Sequence, residues 1–88
     1  MSFSESVLVS PPVDPYRLGR SIARNVLIAR ADRALTQATL AQRAGLSRAT
    51  VAQIESGQSD PRLSTLVNLA QALGRDPIDL LQAPNAKD

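Results

Sequence analysis

Between Ser47 and Glu55 the chain runs Arg-Ala-Thr-Val-Ala-Gln-Ile. If this segment is helical, Val51 and Ile54 turn one face inward. Arg48, Ala49, Ala52 and Gln53 are then left on the outer face, with Thr50 at its edge. That mixture of side chains suits the edges of nucleic-acid bases. A guanidinium can hold guanine O6 and N7 in a bidentate pair, and a glutamine amide can do the same to adenine N6 and N7. Alanines between them let the backbone approach the groove floor and can touch a thymine methyl. Plainer readings stand beside this one. Arg48 can touch a phosphate next to a helix N-terminus, and Ala49 and Ala52 can be ordinary helix-forming surface.

A second group suits phosphate. Gln37 opens the preceding helix, where its side chain and the free N–H groups of the first turn can together clamp an anion; the alternative is a solvated first-turn residue. Thr36, Ser47 and Thr50 can assist, although Thr36 and Ser47 are already explained as helix caps. Arg43, Gln58, Ser59 and Arg62 are further candidates for the nucleic-acid backbone. No catalytic residue is proposed. The close acidic pair, Asp76 and Asp79, fits a helix start, and no nucleophile–base constellation accompanies it. The chain has no Cys and no His, which removes disulfides, Cys/His metal sites and histidine acid–base chemistry. No metal and no cofactor are expected.

Five helices and no sheet should position these residues. Asp14-Pro15 makes a helix start with Asp as N-cap and Pro at the first position. Leu18, Ile22, Val26 and Ala29 then recur at helical spacing to about Arg33. Gly19 is a minor cost in this helix, and Leu27 and Ile28 widen its apolar arc. Thr36 caps a second helix burying Leu40, Ala41 and Ala44, and Gly45 reverses it in a position that suits glycine. Leu46 plugs the turn. Ser47 caps the third helix, which ends near Gly57. Ser64 is the expected cap of a fourth helix burying Leu66, Leu69, Ala70 and Leu73 and stopping at Gly74. Asp76-Pro77 begins a short fifth helix to about Gln82, with Asp79 in its first turn. The boundary between the first two helices lacks a glycine. Two short helices joined tightly at Gly45 leave the second projecting, which is the geometry of a helix-turn-helix whose second helix can enter the DNA major groove.

Leu35-Thr36-Gln37, Leu40-Ala41, Ala44-Gly45-Leu46-Ser47, Val51, Ile54-Glu55-Ser56-Gly57, Pro61, Leu69-Ala70, Ala72-Leu73-Gly74 and Leu80-Leu81 resemble the lambda-repressor/Cro-type helix-turn-helix family of bacterial and phage regulators. This is also called the xenobiotic-response-element family. The resemblance covers residues 18–81 and departs from the family pattern at Ala34, where a glycine is usual. It implies a compact all-α five-helix domain that binds double-stranded DNA as a homodimer on a palindromic operator and regulates transcription, more often as a repressor. It also implies that Arg48, Ala49 and Gln53 align with positions that read bases, with Thr50 touching a base or the backbone. Gln37 matches a phosphate-binding glutamine. Arg30 and Glu55 match an Arg and a Glu that form a largely buried ion pair in similar phage repressors. Dimer contacts are expected at Ile78 and Leu81, with the end of the fourth helix and the N-terminal arm as further contributors.

The 88 residues make one small domain, expected at residues 14–82 between an arm (1–13) and a tail (83–88). Apolar content of 43% is enough for a core, but with one Tyr, one Phe and no Trp it must be built from Leu, Ile, Val and Ala. Net charge is only +2, yet residues 16–48 hold seven arginines against Asp32 alone, a local net of +6. Both flanks are acidic. The positive segment is the one that would face phosphates, although a solvated face is the plainer reading for any single arginine of the first helix. No apolar run approaches the roughly 18–20 residues of a membrane span. A signal peptide is not expected, and neither is a second, ligand-sensing domain. The expected location is the bacterial or phage-infected cytoplasm, at the nucleoid. The alternative is an interaction module, an antitoxin or adaptor that binds a toxin or another protein as well as, or instead of, DNA. Its hint is the apolar arm at Val7-Leu8-Val9 and Val13, which can equally be a tail without partners.

Overall fold

The computed structural model describes residues 14–82 and places five helices in them. These are α1 (Pro15–Asp32), α2 (Gln37–Ala44), α3 (Arg48–Glu55), α4 (Leu63–Leu73) and α5 (Pro77–Leu81). The described residues contain no strand. The apolar arm, Val7-Leu8-Val9 with Val13, and the tail at 83–88 lie outside the described residues.

Asp14 caps α1. Its carboxylate accepts the Tyr16 N–H at 2.9 Å and is held by Arg20 at 3.0 Å. The Tyr16 hydrogen bond first, and then that from Arg20, keep the Asp14 carboxyl below its usual range. A depressed folded-state value means the cap contributes above the ordinary carboxylate range and is lost as pH falls through it.

The buried stripe of α1 contains Ile22, Ala23, Val26 and Ala29. Leu18 does not belong to it: it is 52% exposed. The contact at that level is made by Gly19, where a Cβ would lie 2.9 Å from the Gly57 carbonyl oxygen. Backbone meets backbone there, so the residue that costs helix propensity is the one the packing requires. Leu18, the preceding residue, is left at the rim.

Three helix ends share one hydrogen-bond pattern. At α2 the Gly45 N–H reaches the Gln42 carbonyl and the Leu46 N–H reaches Ala41. At α4, Gly74 and Arg75 bond Gln71 and Ala70 in the same way, and at α1, Ala34 and Leu35 bond Ala31 and Arg30. This is the Schellman arrangement, which needs a left-handed residue at its second-last position. Glycine supplies it at φ 71° and 67°, whereas Ala34 is forced to φ 55°. The boundary that lacks a glycine therefore has the same geometry as the others, at the expense of Cβ strain.

α4 starts two residues earlier than a Ser64 cap predicts. Arg62 occupies the cap position without a side-chain cap bond, and Ser64 lies in the first turn. Serine favours the open N–H groups of a helix start in general, so its presence marks the first turn and not one exact residue.

The core is aliphatic. Leu40, Leu69, Leu73, Leu80, Val26 and Val51 are its largest fully buried side chains, with Ile54, Ile22 and Leu66 beside them. Leu35, Leu46, Ala72 and Leu81 pack against it. Buried alanines at 23, 29, 41, 44 and 70 let the short helices approach closely. α5 is pinned to α1 by Leu80 and by Asn25, whose amide donates to the carbonyls of Leu80 at 2.9 Å and Gln82 at 2.7 Å, with Asp79 at 3.2 Å. It thereby satisfies open carbonyls at a helix end.

Ala34→Gly should raise stability by about 0.5–1 kcal/mol, because relief of left-handed strain exceeds the added chain entropy. Gly45→Ala should lower it by about 1 kcal/mol from strain alone, since a Cβ there meets nothing within 4 Å. Thermal melts should show shifts of opposite sign; equal signs would mean the two turns are not equivalent.

Candidate nucleic-acid interface

α2 and α3 are each eight residues long, too short to persist alone. Both are held by caps at one end and core contacts along one side. Thr36 Oγ1 accepts the Thr39 N–H at 3.0 Å and bonds the Thr39 hydroxyl at 2.9 Å. Ser47 Oγ accepts the Thr50 N–H at 3.1 Å and lies 2.9 Å from the Thr50 hydroxyl. Thr36, Ser47 and Thr50 thus already have polar partners in the capping geometry. Between the helices Gly45 makes the left-handed turn, and Leu46 packs onto the core.

The outer face of α3 is polar and small. Val51 and Ile54 are buried, Arg48, Ala49 and Gln53 are exposed, and Ala52 is half-buried. The Arg48 and Gln53 side chains are unengaged by the described residues. At its C-terminal end this face meets the loop to α4. Thr50, Gln53, Gln58, Ser59 and Arg62 border one depression of about 410 Å³. Thr65 of α4 borders it too, and sequence reasoning missed it; a threonine in the first turn of α4, after the loop, was the available signal. Asp60 also lines the depression and opposes its positive charge.

A second cluster forms where α1 ends, α2 begins and α3 ends. Arg30 and Glu55 make a two-pronged pair, Nε to Oε2 at 2.7 Å and Nη2 to Oε1 at 3.0 Å. The other guanidinium nitrogen donates to the Leu35 carbonyl at 2.8 Å. The Glu55 side chain is only 5% exposed and that of Arg30 19%. Its hydrogen bond with Glu55, above all, holds the Arg30 guanidinium above its usual range, so it stays charged. Gln37 joins this cluster, because its amide Nε2 donates to Glu55 Oε1 at 2.9 Å. One of its two amide hydrogens is consumed inside the protein. The Gln37 and Ala38 backbone N–H groups have no partner among the described residues. An anion at α2 would thus meet backbone donors first. Arg43, exposed in the last turn of α2, joins neither cluster.

Other sequence-selected residues fall elsewhere. Asp76 caps α5 through the Ile78 N–H at 2.9 Å, and Asp79 lies in that first turn. The described residues hold no cluster of three or more His, Cys, Asp or Glu suited to a metal. They contain no helix long and apolar enough to cross a membrane. Ile78 is 62% exposed, while Leu81 is half-buried against the core.

A turn-linked helix pair with a free outer face, flanked by two polar clusters, defines a helix-turn-helix protein. The helix-turn-helix family HTH_3 matches residues 27–80, and the chain belongs to it. An immunity repressor protein of Bacillus phage phi105 is 43% identical over 54 residues, 61% of this chain and 38% of that one. An HTH-type transcriptional regulator of Methanothermobacter thermautotrophicus is 42% identical over 45 residues, 51% of this chain and 65% of that one. The matches thus span less than two thirds of either relative. Among solved structures, a hypothetical transcription factor, NHTF, from Neisseria superposes with TM-score 0.77 at 28% identity, covering 88% of each chain. The restriction-modification controller protein C.AhdI from Aeromonas hydrophila gives TM-score 0.73 at 32% identity, covering 77% of this chain and 99% of its own.

Glu55→Ala should cost roughly 3–5 kcal/mol, because it strands the Arg30 charge and the Gln37 amide in a mostly buried place. Replacing Arg30 and Glu55 together by Met and Leu should recover much of the loss. Urea unfolding measures both; a cost under about 1 kcal/mol for Glu55→Ala would class the pair with exposed ion pairs.

Proposed function

We propose that this chain is a sequence-specific double-stranded DNA-binding regulator of transcription, acting as a repressor and binding as a homodimer on a palindromic operator. The observation that carries this reading is the α3 outer face in a member of the helix-turn-helix family. It presents Arg48 and Gln53 with small alanines between them, and nothing in the described residues covers it. In this reading α3 enters the major groove, where Arg48 pairs with guanine, Gln53 with adenine, and Ala49 and Thr50 pack on neighbouring base edges. The first turn of α2, with Thr36 and Gln37, and the α3–α4 loop, with Gln58, Ser59 and Arg62, take phosphates on either side; Ser47 and Arg43 add to these.

Names of relatives support the direction of this reading. The phage relative is an immunity repressor, and the Neisseria neighbour is described as a transcription factor. Two copies would set their α3 helices about one DNA turn apart, roughly 34 Å. Ile78, exposed on α5, and Leu81 beside it supply the apolar contact between the copies. The chemistry is binding and not catalysis, and no cofactor takes part.

Selection of random duplexes by the purified protein, followed against salt, tests the reading. The expected result is an enriched palindrome whose affinity falls steeply as salt rises. Weak, unselective binding would overturn it in favour of a protein-binding module. On the selected site Arg48→Ala should cost about 1–3 kcal/mol and relax preference at one base pair, whereas Gln37→Ala should weaken all sequences by a similar factor. Unchanged base preference in Arg48→Ala would show that another face does the reading.

A further inference from the structure

α1 carries a line of cations that neither cluster of the interface includes. Arg17, Arg20 and Arg24 recur at three- and four-residue spacing, with Leu27 a turn further on, and all four are exposed. The ion pairs of the described residues join Asp14 to Arg20, Glu55 to Arg30 and Asp32 to Arg75. Arg17 and Arg24 have no acidic partner among them.

Position distinguishes this edge from an ordinary solvated face. It forms one wall of a cleft of about 460 Å³ whose opposite wall is Ser56 and Gly57, where α3 ends. Glu55, at the same cleft, leads to Arg30 and Gln37 and so to the first turn of α2. Towards the start of α1, Arg20 shares a second depression with Ser56 and Gln58 of the α3–α4 loop. The arginine edge therefore runs between the two elements suited to phosphate. Arg17 and Arg24 stand about 10 Å apart along the helix axis. That is close to the rise of three nucleotides on one strand, about 10 Å. An acidic protein is the other polyanion that arginines can hold, but the continuity with both phosphate-suited elements favours DNA.

We propose that Arg17 and Arg24 make a third, sequence-independent contact with DNA phosphates, on the backbone flanking the base pairs read by α3. This rests on the DNA-binding reading above. It predicts that the footprint extends beyond the operator and that part of the salt dependence belongs to α1.

The test compares the full-length wild type with Arg17→Ala/Arg24→Ala on the selected operator, once in a long duplex and once trimmed to the palindrome. With two copies on the operator four phosphate contacts are lost, which lowers the salt slope by roughly 3.6, so the affinity lost between 50 and 200 mM salt should be roughly 150-fold smaller for the variant. Base preference and melting temperature should be unchanged, and Arg17→Lys/Arg24→Lys should keep the wild-type slope. Trimming should weaken the wild type and leave the variant nearly unaffected. An unchanged slope, or an equal response of both proteins to trimming, would overturn the proposal while leaving the DNA-binding reading intact. Loss of an acidic protein ligand with an unaltered DNA slope would assign the edge to that protein and overturn it equally. A wild type that selects no duplex would bring down both readings together.

Discussion

A carboxylate that is 5% exposed must be paired, or its burial would disfavour the folded chain. Glu55 is satisfied by two prongs from Arg30 and one hydrogen from Gln37, while Arg30 also bonds the Leu35 carbonyl. These contacts tie the last turn of α1, the connection after it, the first turn of α2 and the end of α3. The orientation of α3 relative to α2 is therefore set at both ends, by the Gly45 turn at one and by Glu55 at the other. A buried ion pair adds little net stability compared with apolar packing, but it tolerates few alternative arrangements. Here that restricts which face of α3 remains outside.

The outer face of α3 is open because the inner one is so small. Val51 and Ile54 are the buried side chains of an eight-residue helix, which propensity alone could not hold together. Serine and glycine chemistry at its two ends, plus the Glu55 network, replace the missing core area. The remaining positions are thus free to carry arginine, glutamine and alanine without loss of packing. The same economy appears on α1, where Gly19 lets the α3–α4 junction approach and the arginines occupy the adjacent edge. Exposed polar and cationic side chains thus sit beside the backbone contacts that position them.

Local chemistry was legible in the residues. Asp14, Thr36, Ser47 and Asp76 announce helix starts because their side chains accept nearby N–H groups. Gly45 and Gly74 announce ends because they enter left-handed backbone without strain. The apolar spacing of Ile22, Val26, Ala29, Leu40, Ala41, Ala44, Val51, Ile54, Leu66, Leu69, Ala70 and Leu73 selected most of the core. The α3 face was legible as a set of residue types on one side of a helix, and its meaning for DNA came from resemblance. Among long-range partners, the Arg30–Glu55 pair came from resemblance, and the others were not legible. Nothing near Gln37 in the chain indicates that its amide is shared with Glu55, and nothing near Asn25 points to the carbonyls of α5. The depression that gathers Gln53, Gln58 and Arg62 with Thr65 depends on how the α3–α4 loop folds back.

The sequence by itself determined five helices, their caps, an aliphatic core and a concentration of arginine before residue 49. All of these depend on interactions within a turn or two of each residue, or on composition. Tertiary structure alone decided that Gly19 and not Leu18 faces Gly57, and that α4 begins at Leu63. It also decided that Ala34 takes the left-handed backbone its turn requires, and that Arg17 and Arg24 line a cleft against the end of α3. Those outcomes depend on distances between segments far apart in the chain, which hydrophobic spacing constrains only in sum. A pattern can state which residues are apolar. Only packing states which of them have something to touch.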